Sequence, residues 1–301
     1  MGLSRVMSAF LVAMVAAIAL AKPVVSEGLT LKMLIVNDHE RVSAYNGDLD
    51  ALHEDSEAVF EEAARKFSLL DPDITWVIAK QVDFVDSDPY TPETVGYDPI
   101  VGWTGNPSIG TKYQSLHTEF NKWLVDNEDS LPAFDVAQLF SMRNFENYVE
   151  GWASEDTQVP YTGAGGKAAG TVCKLGHNGA LSMVYKEREG GWKGLEIDIS
   201  STNVVHETVH MFGALHDGAN GCSATDANGV GTFMNPSYVQ PVSWSSCSVA
   251  ALERNVPTFD CLGTPLSVLP GDGSDDASDD APTLVPAASA VACVLAILVY
   301  A

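Results

Sequence analysis

The chain has 301 residues, 46% of them hydrophobic, which is enough for one substantial domain with a real core and short appendages. Its 40 acidic residues against 16 basic ones give a formal charge of −24. Such a surface repels phosphate backbones and anionic lipid, so nucleic acid and an anionic membrane face are excluded as expected partners.

Residues 1–21 read as a secretory signal. Arg5 supplies the positive start, Val6–Leu20 is almost wholly apolar, and Ala19-Leu20-Ala21 is an A-x-A cleavage site, so the mature domain spans 22–263. A retained membrane anchor is the alternative, although the apolar run is short for a spanning helix. LTLKMLIV, 29–36, is an apolar β-rich run and predicts a buried strand. Residues 46–70 predict a helix. Leu49, Leu52, Val59, Phe60, Ala63 and Phe67 recur at helical spacing, and acidic residues crowd the early turns, where the dipole favours them. His53, on this polar helix, is expected at the surface rather than on a metal. Residues 73–85 predict a second strand, and 87–110, rich in Pro and Gly, an ordered loop or lid. Residues 111–127 predict a second amphipathic helix, with Leu116, Phe120, Trp123 and Leu124 on its apolar side and a structural His117. AFDVAQLF, 133–140, predicts a third strand, followed by a long loop that ends in YTGAGGKAAG. ALSMVY, 180–185, predicts a short strand at a sheet edge. Strands alternating with helices imply a mixed α/β layered sheet.

Residues 200–214 predict a helix that carries the motif HETVHMFGALHD, 206–217. Residues four apart share a helical face, so His206 and His210 point the same way. Gly213 lets the chain leave the helix, and the turn returns His216 as a third ligand. Three imidazoles with one open position make a catalytic zinc site rather than a closed structural one. Glu207 is rotated off the ligand face and can reach a metal-bound water. A methionine is expected downstream in a turn beneath the metal, and Met234 in GTFMNP stands at a suitable distance. The cleft is expected between an edge strand and the segment after Met234. An extended peptide could pair with that edge strand, which holds the scissile bond over the metal.

GDGSDDASDDAPT, 271–283, is acidic and low in complexity and predicts, with the residues from 264, a disordered linker. LVPAASAVACVLAILVYA, 284–301, is an apolar tail. Small residues, a polar spacer and such a tail read as a GPI-attachment signal. A transmembrane helix is the rival, without Lys or Arg to stop transfer. Either one places the domain at the outer leaflet of a cell membrane. Removal of the tail would take Cys293 with it and leave four cysteines, which allow three pairings outside the cell.

With these residues in view, the chain resembles the adamalysin (reprolysin, ADAM-type) zinc metalloproteases of the metzincin clan over roughly 29–263. LKMLIVNDHERVSAYNGDL is similar to the family's opening strand and the start of its first helix, and FDVAQLFS to its D-x-A-Q-L-hydrophobic strand. HETVHMFGALHD matches HExxHxxGxxHD, including Asp217, the residue type that marks this branch. FMNPS resembles the Met-turn, and WSSCSVAALERNV the last helix. Pro236 stands where astacin-like relatives carry tyrosine. The resemblance implies a metzincin-type zincin fold: a twisted mixed sheet, an active-site helix, an edge strand lining the cleft and a Met-turn. It also implies zinc on His206, His210 and His216, Glu207 as general base, Met234 as the Met-turn residue, and Cys173–Cys261 and Cys222–Cys247 disulfides. Asp217 is expected to orient the site through hydrogen bonds rather than to touch the metal.

The function expected is a secreted or cell-surface zinc endopeptidase acting on extracellular proteins or peptides. The alternative is a catalytically weak zinc-bearing surface module; retention of Glu207 and all three histidines favours the enzyme. Two departures from the family stand out. Where it places a calcium-binding glutamate the chain has Lys32, so no calcium is expected, and the Lys32 ammonium is expected to pair with Asp135 instead. Only seven residues separate Ala21 from Leu29, too few for the family's usual prodomain, and the disintegrin and Cys-rich modules are not expected either.

Overall fold

A computed structural model describes residues 28–71, 73–95, 110–143, 145, 151–153, 170–186, 194–218, 221–236, 241 and 243–263. The expected signal, linker and tail, and most of the 87–110 and 141–170 loops, lie outside these residues.

Seven strands and five α-helices make up the described chain. In chain order they are β1 (Leu29–Asn37), α1 (His39–Ala44), α2 (Leu49–Phe67), β2 (Ile74–Asp83), β3 (Thr94–Val95), β4 (Gly110–Thr111) and α3 (Tyr113–Asp126). Then follow β5 (Val136–Ser141), β6 (Gly151–Ala153), β7 (Gly179–Met183), α4 (Leu195–Met211) and α5 (Ser246–Asn255). Five strands form one sheet in the order β2-β1-β5-β7-β6. β1 pairs parallel with β2 and β5, and β5 parallel with β7; β6 runs antiparallel on β7. β3 and β4 form a separate two-residue antiparallel ribbon.

Strand alternation sorts the core onto two faces. Leu31, Met33 and Ile35 of β1 pack in one cluster with Val59, Phe60, Ala63 and Phe67 of α2 and Val204, Val205 and Val209 of α4. Leu34 and Val36, one residue out of phase, pack with Leu116, Phe120 and Leu124 of α3. Successive side chains point to opposite faces of a strand, so a strand covered on both faces reads as an unbroken apolar run. LTLKMLIV is such a run, interrupted by Lys32. The helices are thus layered as α2 and α4 on one face and α3 on the other.

The predicted elements are present with adjusted ends. Asn46 and Gly47 at φ +55° and +80° break the chain before α2, which starts where Asp48 accepts a hydrogen bond from Ala51 N. α4 begins five residues earlier than predicted. α1, six residues long and capped by Asp38, is too short to leave a periodicity and was not predicted.

The ALSMVY strand is corrected. β7 is not an edge strand; it lies between β5 and β6. The edge is β6, Gly151–Ala153, inside the stretch predicted as loop. Three residues are too few to display alternation, which explains the miss.

Both disulfides implied by the resemblance are formed. Cys173 and Cys261 lie 5.9 Å apart between Cα atoms, and Cys222 and Cys247 6.0 Å apart. Lys32 pairs with Asp135: Nζ lies 3.3 Å from Oδ1, with the side chains 4% and 1% exposed. The Lys32 N–H also donates to Asp135 Oδ2 at 2.7 Å.

Candidate metal centre

Helix α4 carries His206, Glu207 and His210 in its last turns. Beyond Met211, Gly213 at φ +87° reverses the chain while its N–H donates to His210 O at 2.8 Å. That left-handed conformation carries no Cβ penalty for glycine, which is why the helix can stop here and return. The reversal brings His216 against the two helical imidazoles. The three Nε2 atoms form a triangle with every side 3.1 Å. Among the described residues this is the one group of three or more His, Cys, Asp or Glu side chains close enough to share an ion.

The donor set fits zinc. Nitrogen ligands about 2.0–2.1 Å from a tetrahedral zinc stand about 3.3 Å apart, close to the observed triangle. The ring nitrogens facing away from the triangle are engaged: His206 Nδ1 lies 2.6 Å from Phe233 O, and His210 Nδ1 2.7 Å from Ala214 O. A carbonyl only accepts, so both Nδ1 atoms carry the proton and both Nε2 lone pairs are free to bind a metal. Burial, reinforced by the neighbouring imidazoles, lowers the His206 pKa to about 4 and that of His210 well below its usual value; burial also lowers His216. All three are therefore neutral at pH 7, the form that ligates metal.

Glu207 follows His206 on the helix and is buried, 6% exposed. About 100° per residue separates it from the His206 face, so it stands outside the imidazole triangle. Met234 is fully buried and its carbonyl accepts from Asp217 N at 2.8 Å. The Phe233–Met234 peptides thus hold both His206 and the residue after His216. Asp217, 1% exposed, accepts from Thr232 Oγ1 and Ser245 Oγ, each at 2.7 Å. Ser245 in turn caps α5, accepting from Ser248 N. Asp217 therefore ties the third histidine's segment to the turn before Met234 and to the last helix.

Neither histidine set aside in the sequence joins the centre. His53 is half-exposed and bonds Asp83 Oδ2 at 2.7 Å. His117 is buried in the opposite face, where it bonds Gly179 O at 2.8 Å and burial lowers its pKa to about 4. The carbonyl partners of two of the clustered histidines, Phe233 and Ala214, left no trace in the sequence, because a backbone acceptor has no residue type. Of the segment after Met234, where the cleft is expected, Asn235, Pro236 and Pro241 are among the described residues and 237–240 and 242 are not. Among the described residues no helix is long and apolar enough to cross a membrane.

Comparison with known proteins bears on which family the chain belongs to. A 64-residue stretch is 42% identical to the human protein "A disintegrin and metalloproteinase with thrombospondin motifs 14"; it covers 20% of this chain and 5% of that protein. The chain thus spans only a small part of that relative's length. Among solved structures, metalloproteinase-II from Bacteroides fragilis matches over 77% of this chain and 54% of its own, at 12% identity and a TM-score of 0.38. One titled "Structure of a chaperone-substrate complex" matches over 72% of this chain and 30% of its own, at 12% identity and a TM-score of 0.42. Structural likeness this slight bears no weight. The model of metallo-peptidase family M12, Reprolysin_5, matches residues 29–246, a span that holds every strand of the sheet and all three clustered histidines. The chain therefore belongs to metallo-peptidase family M12, a family of zinc-dependent peptidases, and shares its metzincin fold.

Proposed function

We propose that the chain is an extracellular zinc endopeptidase in which His206, His210 and His216 hold the metal and Glu207 is the general base. The observation that carries this reading is the 3.1 Å triangle of Nε2 atoms, with a buried glutamate one residue along the helix from its first member. Bound zinc would polarise the scissile carbonyl and acidify a water at its open position. The Glu207 carboxylate would take a proton from the attacking water and return it to the leaving amine as the C–N bond breaks. Its burial suits a group that must exchange a proton without bulk solvent. The three imidazoles donate lone pairs and remain neutral; Phe233 O and Ala214 O hold two of them in the required tautomer. Met234 and Asp217 support the segments that carry these groups. β6, the antiparallel edge, is the strand on which an extended substrate pairs.

The remaining assignments are proposed on sequence alone: a signal over 1–21, a catalytic domain over 22–263, an acidic linker over 264–283 and a GPI-attachment tail over 284–301. The acidic surface and paired cysteines suit an extracellular setting. On this reading the domain works at the cell surface, acting on proteins or peptides.

The test is peptide-library cleavage by the wild type and by Glu207→Gln, with zinc content measured on both. Glutamine keeps the shape and loses the base, so turnover should fall by about two to four orders of magnitude with zinc retained. Near-normal cleavage by the variant, or cleavage unaffected by a zinc chelator, refutes the assignment.

A further inference from the structure

Helix α4 is covered on several sides yet carries polar residues there. Ser200, Ser201, Thr202, Asn203 and Thr208 are all buried. Apolar packing is non-directional and leaves a helix free to rotate or slide a little, whereas a satisfied buried hydrogen bond does not. The first half of α4 is pinned to the chain around the end of β7: Ser200 Oγ accepts from Tyr185 N at 2.9 Å, and Asn203 Nδ2 donates to Met183 O at 3.0 Å. From α2, Lys66 Nζ donates to Ser201 Oγ and Thr202 Oγ1, both at 2.8 Å.

The half that bears the histidines is held from the centre of the sheet. Gln138 of β5 is fully buried; its Oε1 accepts from Ser182 Oγ of β7 at 3.0 Å. Its Nε2 donates to Thr208 Oγ1 at 2.9 Å and to Val204 O at 3.3 Å. The Thr208 hydroxyl donates in turn to Val204 O at 2.8 Å. This relay runs from two central strands to the helical turn that contains His206 and Glu207. At about 100° per residue, Thr208 lies about 200° around the helix from His206, on its back. His216, by contrast, stands on a separately anchored segment, held through Asp217 to Thr232 and Ser245. The imidazole triangle therefore depends on two tethered pieces, which share an anchor in the Phe233–Met234 peptides, meeting in register.

Resting on the metal site proposed above, we propose that Gln138 is a positioning residue for it: through Thr208 it sets the rotation of α4 and so aims His206, His210 and Glu207 at His216 and the substrate. Metal constellations work only within about 0.5 Å and 10–20° of their productive geometry. A helix turned by that amount would break the relay and open the triangle together.

The experiment uses the full zinc-loaded chain and the variants Gln138→Leu, Thr208→Val, their double, and Thr208→Ser. Either deletion is expected to raise the zinc dissociation constant, read by chelator competition, about tenfold, the low end for groups standing behind metal ligands. Turnover should fall about tenfold or more while KM stays within about twofold, as expected for a loss confined to the transition state. The visible spectrum of the Co2+-substituted protein should shift. The double variant should be no worse than the worse single, and Thr208→Ser should restore wild-type values. If Gln138→Leu fails to fold, Thr208→Val, which keeps the side-chain shape, carries the test. Wild-type zinc affinity and cobalt spectrum in the folded variants, even with a lowered Tm, would overturn the proposal and leave Gln138 a stabilising residue only. A wild type that binds zinc but cleaves nothing refutes the proposed enzyme while the zinc and cobalt measurements still decide the role of Gln138. A wild type that takes up no metal overturns both.

Discussion

Removal of the Lys32 ammonium should expose what that charge is worth to the buried Asp135 carboxylate. In the folded protein Lys32 Nζ stands 3.3 Å from Asp135 Oδ1, with both side chains almost fully buried. At an effective dielectric of about 20, charges at that separation attract by about 5 kcal/mol, most of it offset by the desolvation of both ions. Lys32→Met keeps the apolar stem and the backbone N–H to Asp135 Oδ2 but leaves the carboxylate uncompensated. Breaking one side of a buried pair costs about 3–5 kcal/mol. Protonation of Asp135 caps that cost. Holding a carboxyl of unfolded pKa about 3.9 neutral at pH 7 takes about 4 kcal/mol, and at pH 5 about 1.5 kcal/mol. Burial already raises the Asp135 pKa against the opposing pull of Lys32, so without Lys32 it rises further. A carboxyl with a raised folded pKa is least costly below its unfolded value, and stability is lost as pH rises towards the folded one. Urea unfolding with zinc held constant should therefore show Lys32→Met destabilised by about 3–4 kcal/mol at pH 7 and about 1.5 kcal/mol at pH 5. Adding Asp135→Asn should recover most of the pH 7 loss. A cost below about 0.5 kcal/mol at pH 7, or an equal cost at both pH values, would refute the reasoning.

Other outcomes follow from single features. Gly213→Ala forces a side chain onto φ +87°; it should cost about 1–2 kcal/mol in thermal unfolding and weaken zinc binding by displacing His216. Replacing Cys222 and Cys247 together by serine should cost about 2–4 kcal/mol, read by the same scan, because the bridge closes the loop onto α5. Burial holds the Asp38 carboxyl up at about 6, against hydrogen bonds from Ser141 and Arg41 N and the charge of Arg143. The folded state then binds this proton more tightly than the unfolded one. Its contribution to stability grows as pH falls from about 6 to about 4 and is lost as pH rises through 6, and Asp38→Asn should flatten unfolding profiles across that window.

Where the sequence was legible, local physics decided the structure. LTLKMLIV reads as a buried strand and is one, covered on both faces, and the 3.6-residue recurrence of Leu52, Val59, Phe60 and Ala63 reads as a helix with an apolar side, which is the side that is buried. The spacing of His206, His210 and His216 around Gly213 already contained the triangle, since helix pitch and one reversal generate it. Both disulfides and the Lys32–Asp135 pair followed from family resemblance, not from residue spacing. β6 escaped because three residues carry no period, and its place at the sheet edge comes from antiparallel pairing with β7. Gln138 stood in view as a polar residue within an apolar strand. Its partner Thr208 lies 70 positions away, a contact that the fold alone creates.

Zinc K-edge X-ray absorption on the purified protein tests the central claim most directly. The expected result is one zinc per chain with three imidazole nitrogens at about 2.0–2.1 Å and a light-atom fourth ligand. A chain without zinc, or zinc bound through sulfur or by fewer than three imidazoles, would contradict it.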